Sequence, residues 1–209
     1  MEPFRSISGV VAPLDRPNVD TDQIVPARYL KRIERQGWGE VLFYDWGHLP
    51  DGSPNPEFVL NVPAYRDARV LVTRRNFGSG SSREHAVWAI AQYGIRAIIA
   101  PSFADIFHKN CFENGVVPAI LPDEQVNAIM QRALAAPGYR LTVNLEQCRV
   151  LDEEGLALPF VVHDDPGTHE FRRRALLNGL DEIAITLDHD AEIAGFELRR
   201  PRFLEPVTK

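Results

Sequence analysis

Hydrophobic and polar positions follow three rhythms along the chain. Up to residue 65, short apolar runs such as Ile7–Val11 and Phe58–Val62 are cut by Pro13, Pro17, Pro26, Pro50, Pro54, Pro56 and Pro63. Proline fixes φ and lacks a backbone N–H, so this part is expected to hold short strands and long loops. The middle alternates. Arg69–Thr73 reads as a buried strand, Asn76–Gly80 as a tight glycine turn, and Ser82–Tyr93 as a helix stopped by Gly94. Arg96–Ala100 is a second strand, Ser102–Asn114 a helix stopped by Gly115, and Val116–Ile120 a third strand. Asp123–Ala136 is a helix with Val126, Ile129, Met130, Ala133 and Leu134 on one face, closed by Pro137-Gly138. Such alternation predicts an α/β protein with a parallel sheet. Ligands of these sheets sit at the carboxyl ends of the strands, here the turn after Thr73. In the last part, Tyr139–Val150 and Leu156–Val162 alternate around Glu154-Gly155 as a hairpin would. Helices are expected over Thr168–Asn178, stopped by Gly179, and over Asp188–Arg200.

Composition narrows the classes. The chain has 209 residues, with 23 basic and 29 acidic side chains and a net charge of −6. Length favours one domain over residues 1–209, with a helical tail from about 165. The acidic balance argues against nucleic acid as a partner, because phosphates are neutralised by Lys and Arg. The longest uncharged stretch, His85 to Ile95, is too short for a bilayer span, so no membrane partner is expected. The first residues lack a basic head followed by an apolar run, and Cys111 and Cys148 make no disulfide framework; both point to the cytoplasm.

The densest chemistry lies in N-F-G-S-G-S-S-R-E-H, Asn76 to His85. Gly78 and Gly80 admit backbone conformations closed to other residues, where a strand passes to a helix. Free N–H groups at a helix start attract an anion. Ser81 and Ser82 add hydroxyls, and Arg83 adds a two-pronged grip for a carboxylate or phosphate. A second reading uses the same residues: Ser81 with Glu84 three positions on is a capping box, which needs no ligand. Both readings stand. Phosphate-loop and dinucleotide fingerprints are absent, since Arg83 stands where a third glycine would be, and G-x-S-x-G is absent too. In N-V-D-T-D-Q-I-V-P-A-R-Y-L-K, residues 18–31, Asp20 and Asp22 flank Thr21. Alternating acids can orient a catalytic group or bind a hard cation, but such residues more often make turns by bonding their own backbone, and that is the favoured reading here. Arg28, Lys31, Arg32 and Arg35 form a basic cluster that is either a solvated face or an anion-facing loop. No metal-ligand spacing occurs, so no metal site is expected on this chain. His85, His108, His163, His169 and His189 are expected to be structural or at the surface, and Cys111 to lie in the core.

N-V-D-T-D-Q-I-V-P-A-R-Y-L (18–30), N-F-G-S-G-S-S-R-E-H-A (76–86), A-P-S-F-A-D-I-F (100–107) and F-R-R-R-A-L-L-N-G-L-D-E-I-A-I-T-L (171–187) resemble the small subunits of the bacterial 3-isopropylmalate dehydratase family. G-S-S-R-E-H alone identifies only the aconitase superfamily; the other segments narrow it. The resemblance implies a swivelling β/β/α domain, as in the aconitase C-terminal domain, and a large partner subunit carrying a 4Fe–4S cluster. It implies a hydro-lyase that isomerises 2- and 3-isopropylmalate in leucine biosynthesis. By the same resemblance Ser81 is the base for the carbon-bound proton. Arg83 holds a substrate carboxylate, and Ser82 assists. Asp20, Asp22, Gly78, Gly80 and His85 support them, and Arg28, Lys31 and Arg32 are candidates for a further substrate contact. Two other readings are a paralogous small subunit, acting on homoaconitate, citraconate or dimethylmalate, and a non-catalytic binding module. The loop from Arg28 to Trp46 separates the first, and intact Ser81, Ser82 and Arg83 argue against the second.

Overall fold

The computed structural model describes residues 1–187 and 189–199. Its centre is a seven-stranded sheet in the order β4-β3-β2-β1-β5-β6-β7. The strands are β1 (Ser6–Leu14), β2 (Ala68–Thr73), β3 (Ala97–Ala100), β4 (Val117–Ile120), β5 (Arg140–Asn144), β6 (Arg149–Leu151) and β7 (Ala157–Pro159). β1 to β4 run parallel. β5 to β7 continue from β1 as an antiparallel meander. The helices are α1 (Thr21–Ile24), α2 (Tyr44–Gly47), α3 (Glu84–Tyr93), α4 (Asp105–Glu113), α5 (Asp123–Ala135), α6 (Pro166–Asn178), α7 (Glu182–Leu187) and α8 (Asp190–Arg199).

The parallel strands are continuous apolar runs because both faces are covered. Along β2, Ala68 and Leu71 enter one core with Trp38, Phe43, Ile90 and Phe107. Val70 and Val72 enter the other, with Ile129, Met130 and Phe160. α3 covers the first face and α5 the second. α5 buries Val126, Ile129, Met130 and Ala133 as expected, but Leu134 is 46% exposed. At 3.6 residues per turn, Leu134 falls about 100° round from Ala133, on the rim of that face.

Several boundaries differ from expectation. The run Phe58–Val62 is not a strand: Val59–Asn61 winds into a 3₁₀ turn. The Asn61 amide donates to the Gly47 and Asn55 carbonyls at 2.7 and 2.8 Å, and Pro63 starts another turn directly. Tyr139–Val150 is not one strand of a hairpin but two, β5 and β6, joined by a turn in which Cys148 has φ 50°. α6 ends at Gly179 as expected, with φ 67°. α7 was not foreseen. The expected ends of the last helix, Asp188 and Arg200, and everything after it lie outside the described residues. Among the described residues, no helix is long and apolar enough to cross a membrane.

Candidate functional site

The two suggestive segments meet beyond the carboxyl ends of β1 and β2. Both strands end in register, Leu14 opposite Thr73, and their following loops run side by side. The N–H groups of Gly78 and Ser79 donate to the Val19 carbonyl at 2.8 and 3.1 Å. Thr21 N–H donates to the Ser79 carbonyl at 2.8 Å, and the Asn76 amide to Asn18 Oδ1 at 3.0 Å. Gly78 lies at φ 79° directly on the Phe107 ring, where an added Cβ would stand 2.1 Å from Cγ. Only glycine fits there. Gly80, at φ 91°, faces Asp20 and Thr21.

The capping box expected at Ser81 does not form. α3 begins at Glu84, two residues later than expected, and Arg83 before it is extended with no side-chain cap. The cause is tertiary: Thr21 Oγ1 donates to the Ser81 carbonyl at 2.9 Å, and the Arg83 guanidinium pairs with Asp22. These bonds hold residues 81–83 away from helical geometry. Glu84 turns instead to Trp88 Nε1 and the Asn114 amide, at 3.2 and 3.1 Å. The capping box is at α1. Asp20 accepts from Gln23 N–H at 2.8 Å, and Gln23 accepts from Asp20 N–H at 3.0 Å, in line with the turn reading of that segment.

Ser81 and Ser82 are exposed, and the N–H groups of residues 80–82 donate to no partner among the described residues. The Arg83 side chain is 15% exposed, against 52% for its partner Asp22. The cluster therefore offers two hydroxyls, free backbone donors and a supported guanidinium, a set suited to a carboxylate that loses or gains a proton nearby. His85 lies beside it, its ring 4.6 Å from Trp38 and 4.7 Å from Trp88, and burial lowers its pKa. It joins α3 to the loop around Trp38, a packing role.

Arg28, Lys31 and Arg32 stand apart from this cluster; no hydrogen bond or ion pair joins them to residues 81–83 among the described residues. Arg28 forks onto Asp45 and lies over Tyr29 and Tyr44. That pairing raises the Arg28 pKa and lowers that of Asp45. Arg32 lies over Tyr29 and donates to the Gly37 carbonyl at 3.3 Å, and Lys31 is exposed. Arg28, Tyr44 and Asp45, with His48, Leu49, Pro50 and Gly52, border a separate cavity of about 450 Å³. Among the described residues, no three His, Cys, Asp or Glu side chains are grouped to hold a metal ion. Cys111 is in the core and Cys148 is half-buried, so this chain's thiols do not fit an iron–sulfur cluster. Sequence reasoning missed the contact of Thr21 with the serine motif. Thr21 carries a buried hydroxyl, 1% exposed, and its acceptor is 60 residues away.

The aconitase C-terminal domain model matches residues 1–124, and the LeuD_N model matches 127–164. A 3-isopropylmalate dehydratase small subunit of Brevibacillus brevis is 54% identical over 96% of this chain and 100% of its own length. One from Methylibium petroleiphilum is 52% identical over 96% of this chain and 94% of its own. A crystal structure of 3-isopropylmalate dehydratase from Methanocaldococcus jannaschii superimposes with a TM-score of 0.60. It is 25% identical, covering 91% of this chain and 98% of that one. The mixed sheet with helices on both faces is thus the α/β fold of the aconitase C-terminal domain, as the resemblance implied.

Proposed function

This chain belongs to the family of 3-isopropylmalate dehydratase small subunits, and we propose that it works as one. Joined to a large subunit, it interconverts 2-isopropylmalate and 3-isopropylmalate through 2-isopropylmaleate, a step of leucine biosynthesis in the cytoplasm. The described residues act as one swivel domain, with the helices from about 165 as its appendage. Ser81 moves the carbon-bound proton, Arg83 binds a substrate carboxylate, and Ser82 hydrogen-bonds beside it. Asp22 orients Arg83, while Asp20, Gly78, Gly80 and His85 shape the surrounding loops. Arg28, Lys31 and Arg32, on the separate loop, are assigned to reading the substrate's side chain.

One observation carries this reading: exposed Ser81 and Ser82 adjoin an arginine whose guanidinium is held by Asp22 from another segment. Eliminating water from a hydroxy acid needs a base for the carbon-bound proton and a Lewis acid for the departing hydroxide. A 4Fe–4S cluster on the large subunit supplies the Lewis acid. Serine is a poor base in water and needs neighbouring donors and positive charge to hold it deprotonated. The N–H groups of residues 80–82, which donate to no partner among the described residues, and the Arg83 guanidinium are those features. With its hydroxyls facing solvent, this half-site excludes no water until a partner closes over it, and low dielectric is what makes such donors effective.

The test is reconstitution. The chain alone is expected to fold and to form no isopropylmaleate. Adding the large subunit restores interconversion. Turnover by the isolated chain refutes the two-subunit reading. A reconstituted pair that turns over only another malate derivative refutes the substrate.

A further inference from the structure

Thr21 is one of two buried polar residues among the described residues, and it is spent on the active loop. A buried hydroxyl needs a partner, since leaving it unpaired forfeits its hydration with nothing in return. Thr21 finds that partner 60 residues away, in the Ser81 carbonyl at 2.9 Å. Its own N–H already holds the Ser79 carbonyl at 2.8 Å, so one residue clamps the chain at 79 and at 81. Between these points lies Gly80 at φ 91°, whose Cα adds no side chain to stiffen the link. Among the described residues, the Thr21 hydroxyl makes the one hydrogen bond that reaches residues 80–82. The next anchor along the chain is Arg83 on Asp22.

Thr21 is not free to do otherwise. It opens α1, whose capping box fixes Asp20 and Gln23, and its neighbours Val19 and Ile24 are fully buried. The clamp is therefore rooted in the core, whereas the loop it holds is exposed. Without the hydroxyl, the Ser81 carbonyl would turn to water at little cost in folding energy. The backbone carrying the two serines would then lose this lateral tether.

We propose that Thr21 is a positioning residue, its buried hydroxyl fixing the Ser81 carbonyl and thereby the backbone from which the Ser81 hydroxyl meets the substrate. This rests on the reading of Ser81 as the base. Misplacing a reacting group by about 1 Å costs on the order of 10²-fold in rate. The loss should fall on turnover, because Arg83 keeps its own support from Asp22.

The experiment compares Thr21→Val and Thr21→Ser in the enzyme assembled with its large subunit. Val keeps the shape and removes the donor; Ser removes a methyl and keeps the donor. Thr21→Val is expected to lower kcat about 10- to 100-fold, with KM within about threefold and with assembly intact. Thr21→Ser recovers most of that loss. On a Ser81→Ala background, Thr21→Val should cost nothing further, because the two act as one unit. A purely structural Thr21 would lower the melting temperature without splitting kcat from KM, and Ser would not rescue it. If Thr21→Val does not fold, Thr21→Cys, similar in size with a weak donor, replaces it. A Thr21→Val enzyme within threefold of wild type in kcat, or a Ser variant as slow as the Val variant, overturns the proposal. Ser81→Ala separates the two levels. If Ser81→Ala is inactive and Thr21→Val is fully active, only the Thr21 role falls; if Ser81→Ala turns over normally, the reading of the base falls.

Discussion

The Arg83 and Arg28 regions begin from the same ingredients, an arginine beside an aspartate in a loop after a short turn. At Arg83 the loop is clasped by residues 18–22 through backbone and side-chain bonds, and the guanidinium is mostly covered. At Arg28 both members of the pair are 52% exposed, and the guanidinium rests on the faces of Tyr29 and Tyr44. The first is built into the end of the sheet; the second is an aromatic-lined annex. A charge pair acquires precision from what holds its backbone, so identical side chains are suited to different tasks. The first can place a proton-transfer group, and the second can tolerate change.

Ser81→Ala gives the largest expected effect. Loss of a general base should lower turnover in both directions by roughly 10²- to 10⁴-fold. Because Ser81 caps no helix, the melting temperature should stay close to wild type. Steady-state rates on the assembled enzyme, beside a thermal melt, check both. Turnover within a few-fold of wild type would erase the contrast between the regions.

Arg83→Lys comes next. Lysine can keep the ion pair with Asp22 but not the planar fork that matches a carboxylate. A hydrogen bond to a charged group is worth about 1.5–3 kcal/mol, so a fall of about 10- to 100-fold in kcat/KM is expected. Unaltered kinetics would mean that Arg83 is a structural ion pair only.

Acid should reach the built-in region through its foundations. His108 packs against Phe103 and Phe112 and faces His163, with Asp105 and Arg172 nearby. Phe103 in turn bridges Phe77, the root of the glycine turn. Burial lowers the His108 pKa from 6.5 to about 4. Its Nε2 is buried without a hydrogen-bond partner among the described residues. Between those values the unfolded chain binds a proton that the folded chain resists. Stability is therefore complete above pH 6.5 and falls as pH drops towards 4. Melting temperature against pH should fall less steeply in His108→Gln than in wild type; parallel curves would show that His108 is not the group.

Arg28→Ala should do least to the fold. An exposed ion pair contributes about 0–1 kcal/mol, a shift of less than about 4 °C in a chain of this length. Its expected signature is an altered preference among malate derivatives. A collapse in stability would show that the annex is as structural as the clasp.

The sequence foreshadows the parts of this comparison unevenly. β2, β3 and β4 are legible as apolar runs because burial on both faces demands them. α3 and α6 end where Gly94 and Gly179 adopt positive φ. The serine–arginine cluster is legible as a motif, and its place after Thr73 follows from the strand–helix alternation. What decides its shape is not legible. The start of α3 is moved by Thr21 and Asp22, which lie 60 and 61 residues from their partners. The strand expected over Phe58–Val62 is wound into turns by the Asn61 side chain, a contact with Gly47 and Asn55 that no periodicity encodes. α7 is short, and its apolar residues Ile183 and Leu187 remain exposed, so no buried face marks it.

The parallel pairing of β1 with β2 also has a consequence for the order of assembly. Leu14 meets Thr73 only after the chain between them has closed into a loop, and the Thr21 and Asp22 contacts span similar lengths. Closing such a loop costs entropy before any contact repays it, and topologies rich in distant contacts fold slowly. The β5–β7 meander needs only short turns. During refolding, helical signal and the meander should therefore return before the clasp does. The nascent chain cannot present its serines in working geometry until β2 has been made and paired. In stopped-flow refolding followed by delayed mixing with the large subunit and substrate, recovery of activity should trail recovery of circular dichroism. Simultaneous recovery would show that the clasp closes with the first collapse.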